Sequence, residues 1–231
     1  MRAKISKNTF QFLQDLKNNN NRYWFNDNKP RFEEAREEFT AFIGELVMEI
    51  AKFDPPIASL DPRKSAFRIH RDIRFSKDKT PYKTNLGAHL VAYAEKPHDR
   101  AGYYIHLEPK NTFLAGGAYQ PPAQWLKAIR QAIDRNGREF TKLLSSVSFK
   151  KYFGEMEGEK LKTKPRYYSE DHPHIELLRH KSFLAVHKVS QEDCVSETFL
   201  EHCAQVFKAL KPFNDFLNRS LDQHKPLQSS R

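Results

Sequence analysis

"AFRIHRDIRFSKDKTPYKTN", residues 66–85, joins a strand-like half to a crowded run of charges. Its first half alternates. Phe67, Ile69, Ile73 and Phe75 fall on one face of an extended chain, and Arg68, His70, Asp72 and Arg74 on the other. Side chains along a strand project to opposite faces with a period of two, so the pattern predicts a strand with one covered and one polar face. LGAHLVAYA (86–94), GYYIHLE (102–108) and TFLAGGAY (112–119) follow, joined by short polar or Pro/Gly-containing links, and SFLAVHKV (182–189) comes later. Together they predict an antiparallel sheet of about five strands with one face covered. Arg71 is the odd residue: alternation sends it to the apolar face, where an unpaired guanidinium is very costly. A bulge that turns it out, or a carboxylate from a neighbouring helix (Glu34 or Glu38), would resolve the conflict.

Helical signals surround this core. Thr9 can cap FQFLQDLK (10–17), which runs into the asparagines 18–21, and asparagine tolerates the left-handed conformation that ends helices. Arg22, Trp24 and Phe25 read as a connector, with the Trp-Phe pair packed under the next helix. Asn28 is a candidate cap and Pro30 suits a first turn. Phe32, Ala35, Phe39, Ile43, Leu46 and Ile50 recur at three- and four-residue steps, predicting a helix to about Lys52, stopped by Asp54-Pro55-Pro56. Pro121-Pro122 opens a helix through QWLKAIRQAI (124–133), and another is expected after Gly137. Residues 154–174 read as loop, and IELL (175–178) as a short helix. Ser196 is a candidate cap for a helix carrying Phe199, Cys203, Val206 and Leu210. Pro212 should bend or restart it, and Phe213, Phe216, Leu217 and Leu221 continue its stripe. The tail beyond Leu221 is expected to fray. The fold class is α+β, a sheet flanked by a long amino-terminal helix and carboxy-terminal helices. A single domain over 1–231 is expected: a helical part to residue 60, the strand meander with its basic loop at 61–120, and helices plus one further strand at 121–231.

The chain has 231 residues and a formal charge of +10, and its 18 Phe supply ample core. The charge is uneven. Between Asp61 and Asn85, eight Arg or Lys face three Asp, so half of the excess lies in about a tenth of the length. Crowded cations repel one another unless acids or a bound anion compensate. One reading is therefore an anion site for a phosphorylated or otherwise anionic small molecule. Arg68 and Arg74 would supply planar bidentate donors. Lys77, Lys79 and Lys83 would form a donor-rich lip with Ser76, Thr80 and Thr84, and Tyr82 would be a neighbour. His106 is a candidate proton carrier, because imidazole titrates near neutrality. The competing readings are non-specific nucleic-acid binding through the same patch, and an interaction protein whose charges are internally paired. Whether a bond is made or broken stays open, and no cofactor is expected.

His70, His89, His106 and His187 lie on predicted strands, and Glu108 shares a face with His106, but no metal-binding spacing appears and no metal is assigned. No Walker loop, GxGxxG or GxSxG motif is present. MRAKISKNTFQFL lacks an apolar signal core and no run approaches membrane-spanning length. With Cys194 and Cys203 the only cysteines, a cytoplasmic location is expected, and Cys203 is expected to pack in the core.

Three blocks carry a resemblance: NNNNRYWFNDNKPRFEEA (18–35), FRIHRDIRFSKDKTPYKTN (67–85) and PRYYSEDHPHIELLRHKSF (165–183). They closely resemble the signature blocks of a widespread microbial family catalogued as domain of unknown function 2461, and the resemblance runs nearly end to end. It implies a shared fold and brings no activity, substrate or catalytic residue with it. One departure is visible: Tyr167 stands where the family pattern has glycine.

Overall fold

A computed structural model describes residues 3–93 and 99–222. The expected fray at 223–231 and the final residue of LGAHLVAYA, Ala94, lie outside the described residues. Among those described, the chain forms helices α1 (Lys7–Asn18), α2 (Arg22–Asp27), α3 (Lys29–Ala51), a 3-10 turn (Pro55–Ser59) and α4 (Pro62–Ser65). Strands β1 (Leu86–Leu90), β2 (Gly102–Leu107) and β3 (Thr112–Ala118) follow, then α5 (Ala123–Leu144), α6 (Val147–Phe153) and α7 (Ile175–Leu178). Strand β4 (Phe183–Val189) precedes α8 (Gln191–Cys194) and α9 (Phe199–Asp222). The strands form one antiparallel sheet in the order β1-β2-β3-β4, packed against helices. The class is α+β as expected, with four strands in the sheet.

The missing strand is 66–75. Only Ala66 and His70 make bridges, to Ala88 and Tyr82. Asp72 instead accepts from the Arg74 amide and Asp78 from the Thr80 amide, local turns that compete with a ladder. Phe75, placed on the covered face by alternation, is 94% exposed.

Residue contacts divide the chain into two units. The first comprises Met1–Ala92, Tyr104–Leu114 and Lys188–Lys208. Ser6, three residues ahead of Thr9, caps α1 by accepting the Thr9 amide; the Thr9 hydroxyl itself donates to Glu38 Oε1 at 2.6 Å. Arg22–Phe25 is helical rather than a connector, because Asn21 accepts from the Trp24 amide and caps α2. The packing expected of the pair holds: Trp24 stacks on Phe12, and Phe25 is buried. The apolar face of α3, from Phe32 to Ile50, is buried, and Phe42 stacks on Phe199 at 5.2 Å.

The second unit comprises Tyr93–Tyr103, Ala115–His187 and Ala209–Arg231. Helix α5 is kinked at Asn136, whose φ of −125° and ψ of 30° are non-helical, so a second helical stretch begins at Gly137, close to where one was expected. A Cβ on Gly137 would sit 2.1 Å from the His174 ring, so the glycine is what lets the third sequence block lie against α5. Phe140 stacks on Phe216 at 4.4 Å, and Trp125 Nε1 donates to the Leu217 carbonyl. Helix α9 continues through Pro212.

Tyr167 has the backbone conformation that the expected glycine would suit. Its φ is +75°, in the left-handed region, and its ring is 85% exposed. A side chain held there costs about 1–2 kcal/mol that glycine avoids, at the expense of some chain entropy. Tyr167→Gly should raise the unfolding free energy by about 0.5–1 kcal/mol in urea titration, while Tyr167→Val should lower it by about 1 kcal/mol or more.

Candidate functional site

The basic stretch is an irregular hairpin. The Phe67 amide donates to the Gly87 carbonyl at 2.8 Å, the Lys83 amide to Ile69 at 2.8 Å, and the Arg71 amide to Pro81 at 2.9 Å. The tip, 72–80, wires itself together. The Arg71 guanidinium donates to the Asp78 carboxylate and to the Thr80 carbonyl and hydroxyl. Its partner therefore comes from the loop and not from α3, where Glu38 already receives the Ser6 amide and Thr9 hydroxyl. Arg74 pairs with Asp72 through Nε (3.0 Å) and a terminal nitrogen (2.7 Å). Lys79 Nζ donates to the Ile73 carbonyl at 3.0 Å. The Arg74 hydrogen bonds hold the Asp72 carboxyl at about 2, and the Thr80 amide, then Arg71, hold Asp78 at about 2.

A clamp fixes this hairpin to the asparagine run. Asn20 Nδ2 donates to the Tyr82 carbonyl (2.9 Å), and its Oδ1 accepts the Tyr82 amide (3.1 Å). The Tyr82 ring stacks on Phe25 at 4.0 Å and is 5% exposed. The first two sequence blocks are thus one packed assembly.

Three cations of the hairpin escape the wiring. Arg68 is exposed, and it has no ion-pair or hydrogen-bond partner among the described residues. Lys83 is half-buried and likewise without a carboxylate; its ammonium lies 5.1 Å over the Phe67 ring. Burial, and then the Arg68 charge, push the Lys83 pKa down. Lys77 is exposed and also unpaired.

Thr84 and Asn85 lead from the hairpin to the half-open face of β2. Tyr103, Ile105 and Leu107 are buried, while Tyr104, His106 and Glu108 project to the other side. Tyr104 Oη lies 2.9 Å from His106 Nδ1, and Asn85 Nδ2 lies 3.3 Å from the same nitrogen. The Asn85 amide nitrogen can only donate, so Nδ1 is the acceptor, and the imidazole proton sits on Nε2, facing Glu108 Oε2 at 3.3 Å. Thr84 and Asn111 also donate to Glu108, both at 2.9 Å, and Lys17 stands 3.8 Å away. Burial lowers the His106 pKa, opposed by Glu108, and so favours the neutral ring. Burial pushes the Tyr104 phenol up to about 12. Burial also raises Glu108, but donors Asn111, Thr84 and His106 outweigh it and leave its pKa below the ordinary value. Phe113 stacks on His106 at 4.6 Å, and Phe67 lies 6.0 Å from Tyr104. A Cβ on Gly87 would meet Tyr104 Oη at 2.9 Å, so the hydroxyl occupies space that the missing side chain leaves.

The structure thus divides the residues read from sequence. Thr84 and Asn85, which follow Lys83, bond to Glu108 and His106, and Phe67, which precedes Arg68, lies 6.0 Å from Tyr104. Arg74, Lys77 and Lys79 lie at the hairpin tip, and Tyr82 is buried against Phe25. Sequence reading missed Tyr104 and Asn20. Tyr104 shared the alternation already seen for His106 and Glu108, whereas nothing local marked Asn20. No group of three metal-ligating side chains assembles among the described residues. Both thiols are free and buried; burial pushes Cys194 up to about 12 and Cys203 well above its ordinary value, which leaves neither nucleophilic. No helix among the described residues is long and apolar enough to cross a membrane.

A family model, the conserved hypothetical protein family DUF2461, matches residues 8–216, and the chain belongs to that family. No curated protein and no solved structure matches it.

Two outcomes check the loop geometry. Asn20→Ala should cost about 1–2 kcal/mol and speed hydrogen exchange at the Tyr82 amide, because two bonds to one backbone unit are lost. Asp72 and Asp78, depressed from 3.8, support the folded state above that value and lose their contribution as pH falls through about 2. Carboxyl NMR titration should place both midpoints near 2, and titration of either near 4 would dismiss its ion pair.

Proposed function

We propose that the protein binds a phosphorylated or otherwise anionic small molecule on the half-open face of β2, with Arg68 and Lys83 as the receiving cations. The observation that carries this is their lack of compensation. Arg71 and Arg74 are ion-paired with Asp78 and Asp72, whereas Arg68 and Lys83 have no direct ion pair among the described residues; Arg68 feels the Asp72 charge only at longer range and depresses its neighbour Lys83. Such repulsion is a standing cost that a bound anion removes. Thr84 and Asn85, which follow Lys83, are tied into the Tyr104–His106–Glu108 network, so the cations and the network share one segment. Lys77 at the tip adds long-range attraction for an anion.

A second reading has its own observation. Phe75 at 94% and Tyr23 at 85% exposure lie on the hairpin tip and on α2. Arg22, Tyr23, Ile73 and Lys79 line an open groove of about 610 Å³ there. Exposed rings beside cations suit stacked bases of a single-stranded nucleic acid.

Thermal shift at low salt separates the two. The titrants are inorganic phosphate, nucleotides, sugar phosphates and short DNA and RNA. Binding only to the native state raises the midpoint with concentration, worth about 2.7 kcal/mol at a hundredfold excess over Kd. One phosphorylated compound should stand out. Its affinity should fall roughly tenfold or more in Arg68→Ala and Lys83→Ala, since charge-assisted bonds are worth about 1.5–3 kcal/mol, and be retained in Arg74→Ala. Equal shifts by all polyanions, steep in salt and lost in Phe75→Ala, would favour nucleic acid. No shift from any of them would make the two cations architecture.

A further inference from the structure

We infer that Tyr104, His106 and Glu108 form a hydroxyl–imidazole–carboxylate relay that removes a proton from the bound anionic substrate. The three stand at alternate positions of β2 and its extension, on one face. The phenol addresses one imidazole nitrogen (2.9 Å), and the other nitrogen addresses a carboxylate (3.3 Å). This is the connectivity that activates a hydroxyl in acyl-transfer triads, with a phenol in place of the serine. The inference rests on the reading of this face as an anion site.

The parts are placed for the task. Glu108 is held by Thr84 and Asn111, so it orients the Nε2 proton without itself turning. Asn85 and Tyr104 both face Nδ1, which leaves that lone pair as the proton acceptor. Phe113 lies flat on the ring and fixes its plane. The charges in contact with the relay are Glu108 and, 3.8 Å from it, Lys17, and Lys83 and Arg68 stand on the hairpin segment that leads to Thr84 and Asn85.

The step balances. A substrate O–H or C–H proton passes to the Tyr104 oxygen as the phenol proton passes to His106 Nδ1. The phenol is regenerated, the imidazole becomes an imidazolium held against Glu108, and the electron pair stays on the substrate beside Lys83 and Arg68. The substrate class is a small phosphorylated or carboxylated molecule with an acidic hydroxyl or an activated carbon–hydrogen bond.

An arylsulfonyl fluoride tests the relay without knowledge of the substrate. The Tyr104 oxygen attacks sulfur, an S–O bond forms, fluoride leaves, and the phenol proton goes to His106. Peptide mapping should find Tyr104 modified. His106→Gln should slow that labelling roughly a hundredfold, the scale of a lost general base, with the rates at exposed Tyr23 and Tyr167 unchanged. His106→Gly should regain labelling when imidazole is added, which a merely structural role would not produce. Gly87→Ala, which crowds the hydroxyl, should also slow it. Modification of Tyr23 and Tyr167 with Tyr104 untouched, or equal Tyr104 rates with and without His106, would overturn the relay. The phosphate midpoint shift on the same samples keeps the two ideas apart: a retained shift with an unreactive Tyr104 sinks the relay alone, and an absent shift sinks the anion site beneath it.

Discussion

The period of two along β2 is the constraint on which the arrangement turns. Tyr103, Ile105 and Leu107 must face the core, so Tyr104, His106 and Glu108 have no choice but to share the opposite face. A slip of one residue would bury a glutamate and a histidine and expose three core side chains. Stability of the sheet therefore fixes the polar row, and the row inherits the rigidity of the strand. Sites on strands hold their geometry better than sites on loops.

The hairpin 66–85 supplies what the strand cannot. It is dense in charge, and most of that charge is spent on its own tip. Two aspartates hold two arginines, and a backbone carbonyl holds Lys79. These exposed pairs organise a loop more than they stabilise a protein. The energetically informative residues are the unpaired ones, because a half-buried ammonium with a like charge beside it is a cost that no carboxylate offsets and that the Phe67 ring offsets only in part. Asn20 and Phe25 matter for the same reason. By gripping Tyr82 through backbone and ring, they hold its neighbour Lys83 in a repulsive position.

Much of this was legible in residues alone. The apolar steps of 29–51 marked α3, and the runs at 86–90, 102–107, 112–118 and 183–189 became the sheet. The alternation of 66–75 was misleading, because a period of two shows which way side chains would point in a strand and not whether a partner strand exists. Asp72 and Asp78 accepted local amides, and the ladder lost. Arg71 breaks the alternation, and what resolves it is neither Glu34 nor Glu38 but an aspartate of the same irregular loop, seven residues away. His106 and Glu108 could be placed on one face, yet Tyr104 became visible only when its hydroxyl was seen on Nδ1. The asparagine run read as a helix end, and the reach of Asn20 to Tyr82, across 62 residues, has no local signature. Tyr167 is the opposite case, since an expected glycine at that position matches a positive φ.

The most direct measurement is the nitrogen-15 NMR signature of His106 in the intact protein, with and without inorganic phosphate. The account predicts a neutral ring protonated on Nε2 at neutral pH. It predicts a rise in the His106 pKa when phosphate occupies the neighbouring cations, and no such rise in Lys83→Ala. A ring protonated on Nδ1, or one indifferent to phosphate at every pH, would contradict it.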